Sequence, residues 1–213
     1  SRAQEEEAAA IVRSVIPHAR VSLSADFGRL GLLERENAAT MNASLLALAE
    51  HTIGAFERSL RTLGIAAPLF ISQNDGTLMS AARATQFPVA TFASGPTNSM
   101  RGAALLAGIS EALVIDIGGT TADIGYLHRG FPRESALTVD IGGVRTNFRM
   151  PDLVALALGG GTIIHRDAGR VSIGPRSVGY EIIRRARIFG GDTLTATDIA
   201  VAAGMANVGD PSR

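Results

Sequence analysis

The sequence predicts an α/β protein, and three observations predict it. Helical and strand-like stretches interleave along the chain instead of grouping into blocks. The longest helical pattern, Glu34 to Leu63, repeats apolar residues every three or four positions. The apolar run Ala112 to Asp116 is followed by Gly118-Gly119, the mark of a strand entering a tight turn. The 213 residues are 46% apolar and 19% charged, enough to bury a sizeable core and too little charge for a disordered chain.

Taken in order, residues 3–16 read as a helix that Pro17 stops. Val21-Ser22-Leu23-Ser24 alternates like a short strand. On the long helix, Leu45, Leu48, Ala49, Ile53, Phe56, Leu60 and Leu63 form one face, and Gly64 supplies the C-terminal cap. Pro68 to Ser72 reads as a strand, Asn74-Asp75-Gly76 as a turn, Leu78 to Thr85 as a short helix and Pro88 to Phe92 as a strand. Ser94 to Ala107 is a small-residue helix capped by Gly108. Ala112 to Asp116 reads as a buried strand and Ala122 to Leu127 as its return. Arg129 to Pro132 is a turn, and Ala136 to Ile141 a third strand. The apolar stretch Leu153 to Leu158 leads into Gly159-Gly160-Gly161. Thr162 to His165 and Arg170 to Ile173 pair across Asp167-Ala168-Gly169, and Val178 to Ile188 and Ala196 to Ala203 close the chain as helices. There is no linker, low-complexity tract or clear repeat, though Asp140-Ile141-Gly142-Gly143 echoes Asp116-Ile117-Gly118-Gly119.

Composition excludes several chemistries. There is no Cys, which rules out disulfides, thiolate catalysis and zinc–cysteine sites. There is no Lys, which rules out Schiff-base catalysis and a Walker-type phosphate lysine. Zero net charge argues against a nucleic-acid or membrane-surface binder, and no apolar stretch reaches the ~20 residues a span requires. The chain opens on Ser1-Arg2 within a helical run, so it reads as a piece of a longer, cytoplasmic protein. His18, His51, His128 and His165 show no metal-ligand spacing, and Arg184, Arg185 and Arg187 read as a solvated helix face.

Chemistry concentrates in Val114 to Ile124. A strand delivers Asp116 at its end, and two glycines allow a turn with φ values that other residues resist. Their bare backbone lets N–H groups approach phosphate oxygens. Thr120 and Thr121 add hydroxyl donors, and Asp116 or Asp123 can hold a hydrated Mg²⁺. The competing reading is a plain hairpin with solvated Asp and Thr; the flanking strands, both threonines and the second Asp favour phosphate. Gly159-Gly160-Gly161 fits either a backbone approach to nucleotide or a strand-to-hairpin turn. Asp75 fits a cleft position or a turn, and Thr195-x-Thr197-Asp198 fits a loop and helix cap.

Asp116 to Asp123 resembles the second phosphate loop of the actin, sugar-kinase and heat-shock-chaperone ATPase superfamily. Pro96 to Gly108, with Ala103, Ala104 and Ala107, resembles its connecting helix. Ser72-Gln73-Asn74-Asp75-Gly76, Pro88-Val89 to Ser94-Gly95-Pro96, Asp116 to Asp123 and Gly159-Gly160-Gly161 follow one another as in the hydantoinase/oxoprolinase family, specifically its hydantoinase A domain. Leu33 to Asn37 is similar to the entry of that domain's long helix. The resemblance implies an actin-like, ribonuclease H-like lobe: a mixed sheet flanked by helices, with residues 1–213 as one lobe of a two-lobed ATPase and the N-terminal lobe missing.

It further implies ATP and Mg²⁺, with Asp116 and Asp123 catalytic, Asp116 holding the metal through water, and Gly95, Gly118, Gly119, Thr120, Thr121, Gly159, Gly160 and Gly161 binding nucleotide. The implied reaction is hydrolysis of a cyclic amide, with ATP activating the amide oxygen. Implied partners are the small cyclic amide, the other lobe and a second hydantoinase-type subunit; the family also includes ATP-using subunits of acetone-type carboxylases. A sugar-kinase-like phosphotransferase and a non-enzymatic ATP-driven switch are the alternatives. Two departures mark a divergent branch. Val154 stands where the common family form has a metal-associated His, so that role does not transfer. Gly174 to Tyr180 replaces a Pro-Gly-Pro-Ala-Cys stretch.

Overall fold

The computed structural model describes residues 1–26, 28–135 and 138–212. In chain order it contains α1 (Arg2–Val15), α2 (Leu33–Thr62), β1 (Phe70–Ser72), β2 (Leu78–Ser80), α3 (Ala81–Gln86) and α4 (Ser94–Ala107). Then come β3 (Ala112–Ile117), β4 (Ala122–His128), β5 (Phe131–Pro132), β6 (Val139–Ile141), β7 (Val144–Thr146) and β8 (Leu153–Leu156). It closes with β9 (Thr162–Asp167), β10 (Arg170–Ser177), α5 (Ile182–Arg185) and α6 (Ala196–Ala202). Ala136 and Leu137, the start of the expected third strand, lie outside the described residues; its remainder is β6.

The chain divides into two compact units, and it crosses between them at the start of β3, within β4 and just before β8. The first contains residues 1–112 and 126–152. Its core joins Ala38, Val89 and Phe148, with Met41, Leu45, Ile141 and Met150 packed around them. Two buried asparagines fasten this core. Asn42 donates to Ser22 Oγ and to the Gln86 carbonyl, both at 2.9 Å. Asn74 donates to the carbonyls of Val89 and Arg149 and accepts from the Ala93 N–H at 2.8 Å. Such fully bonded amides fix loops that apolar contacts alone leave free to slide.

These tethers explain where the sequence-based elements change. Val21 to Ser24 is not a strand: Ser22 bonds Asn42, and Ser24 bonds Glu5 and Arg35, so side chains rather than a neighbouring strand satisfy it. Pro88 to Phe92 is one 3₁₀ turn over Pro88–Thr91, started by a proline whose fixed φ suits a helical first position. Leu78 to Thr85 splits. β2 pairs back onto β1 antiparallel, and Ser80 then caps α3 by accepting from the Arg83 N–H. The apolar face of α2 buries only in part: Leu48, Phe56 and Leu63 remain exposed.

The second unit contains residues 113–125 and 153–213. β3 and β4 are neighbours joined by four residues, too few for a parallel crossover, so they form a hairpin. β4 pairs antiparallel with β8, setting Asp123 opposite Ala155 and Ile124 opposite Val154. β3 was expected to be buried; instead Leu113, Ile115 and Ile117 are exposed while Ala112, Val114 and Asp116 are half-buried. That alternation belongs to a strand covered on one face. β9 and β10 pair as expected, with the turn at Ala168-Gly169. Ala186, Ile188 and Val201 form a second small core. The expected helix from Val178 to Ile188 breaks because Gly179 has φ +55° and Ala186 is extended, forming a bridge to Thr193.

Candidate phosphate-binding turn

The turn between β3 and β4 closes with one backbone bond, from the Gly118 N–H to the Thr121 carbonyl at 2.8 Å. That bond sets Gly118 opposite Thr121 and therefore Asp116 opposite Asp123, which puts both carboxylates on one face of the hairpin. Residues Gly118 to Thr121 are all exposed. Among the described residues the N–H groups of Gly119 and Thr120 make no hydrogen bond, and the Asp116 carboxylate has neither a hydrogen bond nor an ion pair. Asp123 receives only a long contact from Thr121 Oγ1, 3.5 Å. The expected reason for the two glycines does not hold: neither takes a positive φ. A Cβ on Gly119 would meet nothing within 4 Å. The glycines thus leave bare backbone and open space without being required by the turn itself.

The glycine run Gly159 to Gly161 lies directly against this turn. Gly160 and Gly161 donate to the carbonyls of Gly118 and Gly119 at 3.0 and 2.7 Å. The Gly159 N–H donates to Thr162 Oγ1 at 2.7 Å. A Cβ at Gly159 would sit 2.6 Å from the Gly118 carbonyl oxygen and 2.6 Å from the Thr120 nitrogen. All three N–H groups are therefore engaged inside the protein, and the run acts as a floor that orients the turn. The floor is itself held from below. The Gly160 carbonyl accepts from both the N–H and the Oγ1 of Thr197, each at 2.9 Å. Thr197 opens α6, whose cap is the pair Thr195 and Asp198: the buried Asp198 carboxylate accepts from the Thr195 N–H and hydroxyl at 2.6 and 2.8 Å, and from the Ile188 N–H at 2.7 Å.

The structure thus brings together Asp116, Gly118, Gly119, Thr120, Thr121, Asp123 and Gly159 to Gly161 within the second unit. Gly95 belongs to the first, exposed in the opening turn of α4. Asp75 forms a turn: its Oδ1 accepts from the Thr77 N–H at 2.9 Å and from the Thr77 hydroxyl at 2.6 Å. Sequence reading missed Thr162 and Thr197 as supports. The one local signal was a hydroxyl residue directly after three glycines.

Residues 35–209 match the family model described as hydantoinase/oxoprolinase. The chain belongs to the hydantoinase/oxoprolinase family. It is 28% identical over 185 residues to the acetophenone carboxylase gamma subunit of Aromatoleum aromaticum, covering 84% of this chain and 25% of that protein. Its fold matches the ATP-dependent caprolactamase of Pseudomonas jessenii with a TM-score of 0.73 and 25% identity, over 97% of this chain and 30% of that one. It also matches nucleotide-free acetone carboxylase with a TM-score of 0.69 and 20% identity, over 86% of this chain and 26% of that one. The expected mixed α/β fold class therefore stands, and the chain spans about a quarter of the length of these family relatives. Among the described residues no helix is long and apolar enough to cross a membrane, and no three or more His, Cys, Asp or Glu gather as metal ligands.

Proposed function

We propose that the chain supplies the phosphate-binding lobe of a cytoplasmic ATP-dependent enzyme that opens a cyclic amide, a hydantoin or a lactam. The observation that carries this reading is the open turn. Free N–H donors at Gly119 and Thr120 and two threonine hydroxyls lie on one exposed turn fixed by the glycine floor, and the half-buried Asp116, whose carboxylate has no partner among the described residues, stands at the end of the strand that enters it. Mg²⁺ suits it: Asp116 offers one carboxylate, and this ion is commonly held by one or two carboxylates, water and the nucleotide's own phosphates. Bound ATP would supply a phosphoryl group to activate the amide oxygen, so that water can open the ring. Gly119 and Thr120 donate to phosphate oxygens, with Gly118 giving clearance. Thr120 and Thr121 add hydroxyl donors. Asp116 would hold Mg²⁺ through water, and Asp123 would brace the hairpin face beside it. Positioning and electrostatics, rather than covalent chemistry, carry the rate.

The match to the acetophenone carboxylase subunit favours one second reading, in which the activated oxygen belongs to a ketone that is then carboxylated. Both readings ask the same work of this lobe. The test uses the full-length protein with Mg²⁺-ATP and measures ADP release together with product. ADP formed only alongside ring opening supports the amidase; ADP formed only with ketone and bicarbonate supports the carboxylase. A phosphorylated hydroxyl product, or idle turnover altered by a protein partner, overturns both. The isolated lobe is expected to turn over nothing, because a single phosphate hairpin leaves the nucleotide open to water and free to reorient.

A further inference from the structure

A cavity of about 500 Å³ lies wholly within the first unit, and no residue of the phosphate turn lines it. Its size suits a small molecule, and its walls combine an apolar patch with a few charged groups, the usual make-up of a ligand site. Phe87, Val89 and Phe148 form the apolar wall, and Arg29, Arg83 and Arg149 bring cationic heads to the rim. The two acidic lining residues are already engaged. Asp26 pairs with Arg2 at 2.7 Å, and Asp75 Oδ1 is held by Thr77. Arg29 pairs with Glu134 at 2.5 Å. Among the described residues Arg149 has long contacts alone, 3.8 Å to Asp75 and 3.5 Å to Glu134. The Arg83 guanidinium lies 4.6 Å over the Phe87 ring and has no acidic partner among the described residues. Stacking on an aromatic face fixes the plane of a guanidinium while leaving its N–H edge free to grip a carboxylate in bidentate fashion. The fully bonded Asn74 holds the cavity's backbone walls at Val89 and Arg149, so the site is preformed.

We infer that this cavity binds a small organic monoanion, its carboxylate on Arg83 and Arg149 and its apolar body against Phe87, Val89 and Phe148. The site does not rest on the nucleotide reading, and its test contains no nucleotide. The chain is titrated with benzoate, with the isosteric neutral benzamide and with inorganic phosphate, followed by calorimetry and by NMR shifts. Expected is saturable benzoate binding, weakened about tenfold or more in Arg83→Gln, at the scale of a lost charged hydrogen bond. Benzamide and phosphate are expected to bind at least tenfold more weakly than benzoate. Arg149→Gln, at an exposed side chain, is the second variant and should weaken benzoate in the same direction while thermal melting stays unchanged. Absence of saturable benzoate binding overturns the inference. So does benzamide or phosphate binding as tightly as benzoate, or affinity that both arginine variants leave intact.

Discussion

Two turns in this molecule begin with the same four residues and end differently. Asp140-Ile141-Gly142-Gly143 joins β6 to β7, with Ile141 paired to Val144 and both glycines at positive φ, +61° and +82°. Its Asp140 carboxylate accepts from the Gly143 N–H at 2.8 Å. There the motif is turn chemistry throughout: glycine supplies a backbone shape and aspartate closes it. In Asp116-Ile117-Gly118-Gly119 the two glycines have ordinary φ, the Asp116 carboxylate has no partner among the described residues, and the turn is shifted by one residue onto Gly119-Thr120. The residues that follow decide the difference. Val144-Arg145 resumes a strand at once, whereas Thr120-Thr121 delays it. What folding demands of Asp140 and Gly143 it does not demand of Asp116 and Gly119, and the proposed phosphate role gives the second set a different reason.

The sharpest test of that contrast is a matched pair of carboxylate removals in the full-length protein. Asp116→Ala is expected to cut Mg²⁺-ATP turnover about 10²-fold or more with no loss of melting temperature, as removal of a preorganised electrostatic group does. Asp140→Ala should leave turnover intact and reduce stability by about 1 kcal/mol, the scale of one lost hydrogen bond. Equal turnover in both variants would erase the distinction.

Glycine substitutions come next in size. Gly159→Ala forces a Cβ against backbone atoms 2.6 Å away, and overpacking of this kind costs about 1–3 kcal/mol. Gly143→Ala, at φ +82°, should cost about 1–2 kcal/mol from left-handed strain. Gly119→Ala has open space and an ordinary φ, so denaturant unfolding should show a change within about 0.5 kcal/mol. Nucleotide affinity in the full-length protein should nonetheless fall for Gly119→Ala, since the added methyl would occupy the proposed phosphate approach. Calorimetry showing unchanged affinity there would return this turn to the status of its twin.

Much of this was legible in the sequence, and the limits follow from range. α2, α4 with its Gly108 cap, the β3 turn and the β9–β10 hairpin are written in local periodicity and glycine placement. The strand expected at Pro88 and the helix expected at Leu78 failed because Asn74, arriving from another loop, and the β1 pairing overrode local preference. The exposed end of the α2 stripe was unreadable because periodicity names an apolar face without naming what covers it. Asp116 and its glycines were found as a loop, yet the work of Gly159 was not. It depends on backbone that approaches from far along the chain, and Thr197 and Thr162 enter only through that contact.

A third turn extends the comparison at its weakest end. Arg129-Gly130 links β4 to β5 with Arg129 at φ +52°, a conformation unfavourable for a residue with a side chain. Here too a carboxylate closes the turn, but from outside it: Glu111 accepts from the Arg129 N–H at 2.8 Å. That backbone bond is the main cause holding the Glu111 carboxyl below its ordinary value of 4.5, with Tyr126 and His128 adding side-chain contacts. A carboxyl with a depressed folded pKa favours the folded state above its unfolded pKa. That contribution fades as pH falls through the lower, folded value. Glu111→Gln should therefore lower the melting temperature slightly at pH 7, and the gap to the parent should narrow progressively below about pH 4.5, the ordinary carboxyl range. The gap should be smaller than for Gly143→Ala, because Glu111 is solvent-exposed. A gap that stays constant from pH 7 to pH 3 would mean that Glu111 holds Arg129 as a neutral acceptor, through shape alone.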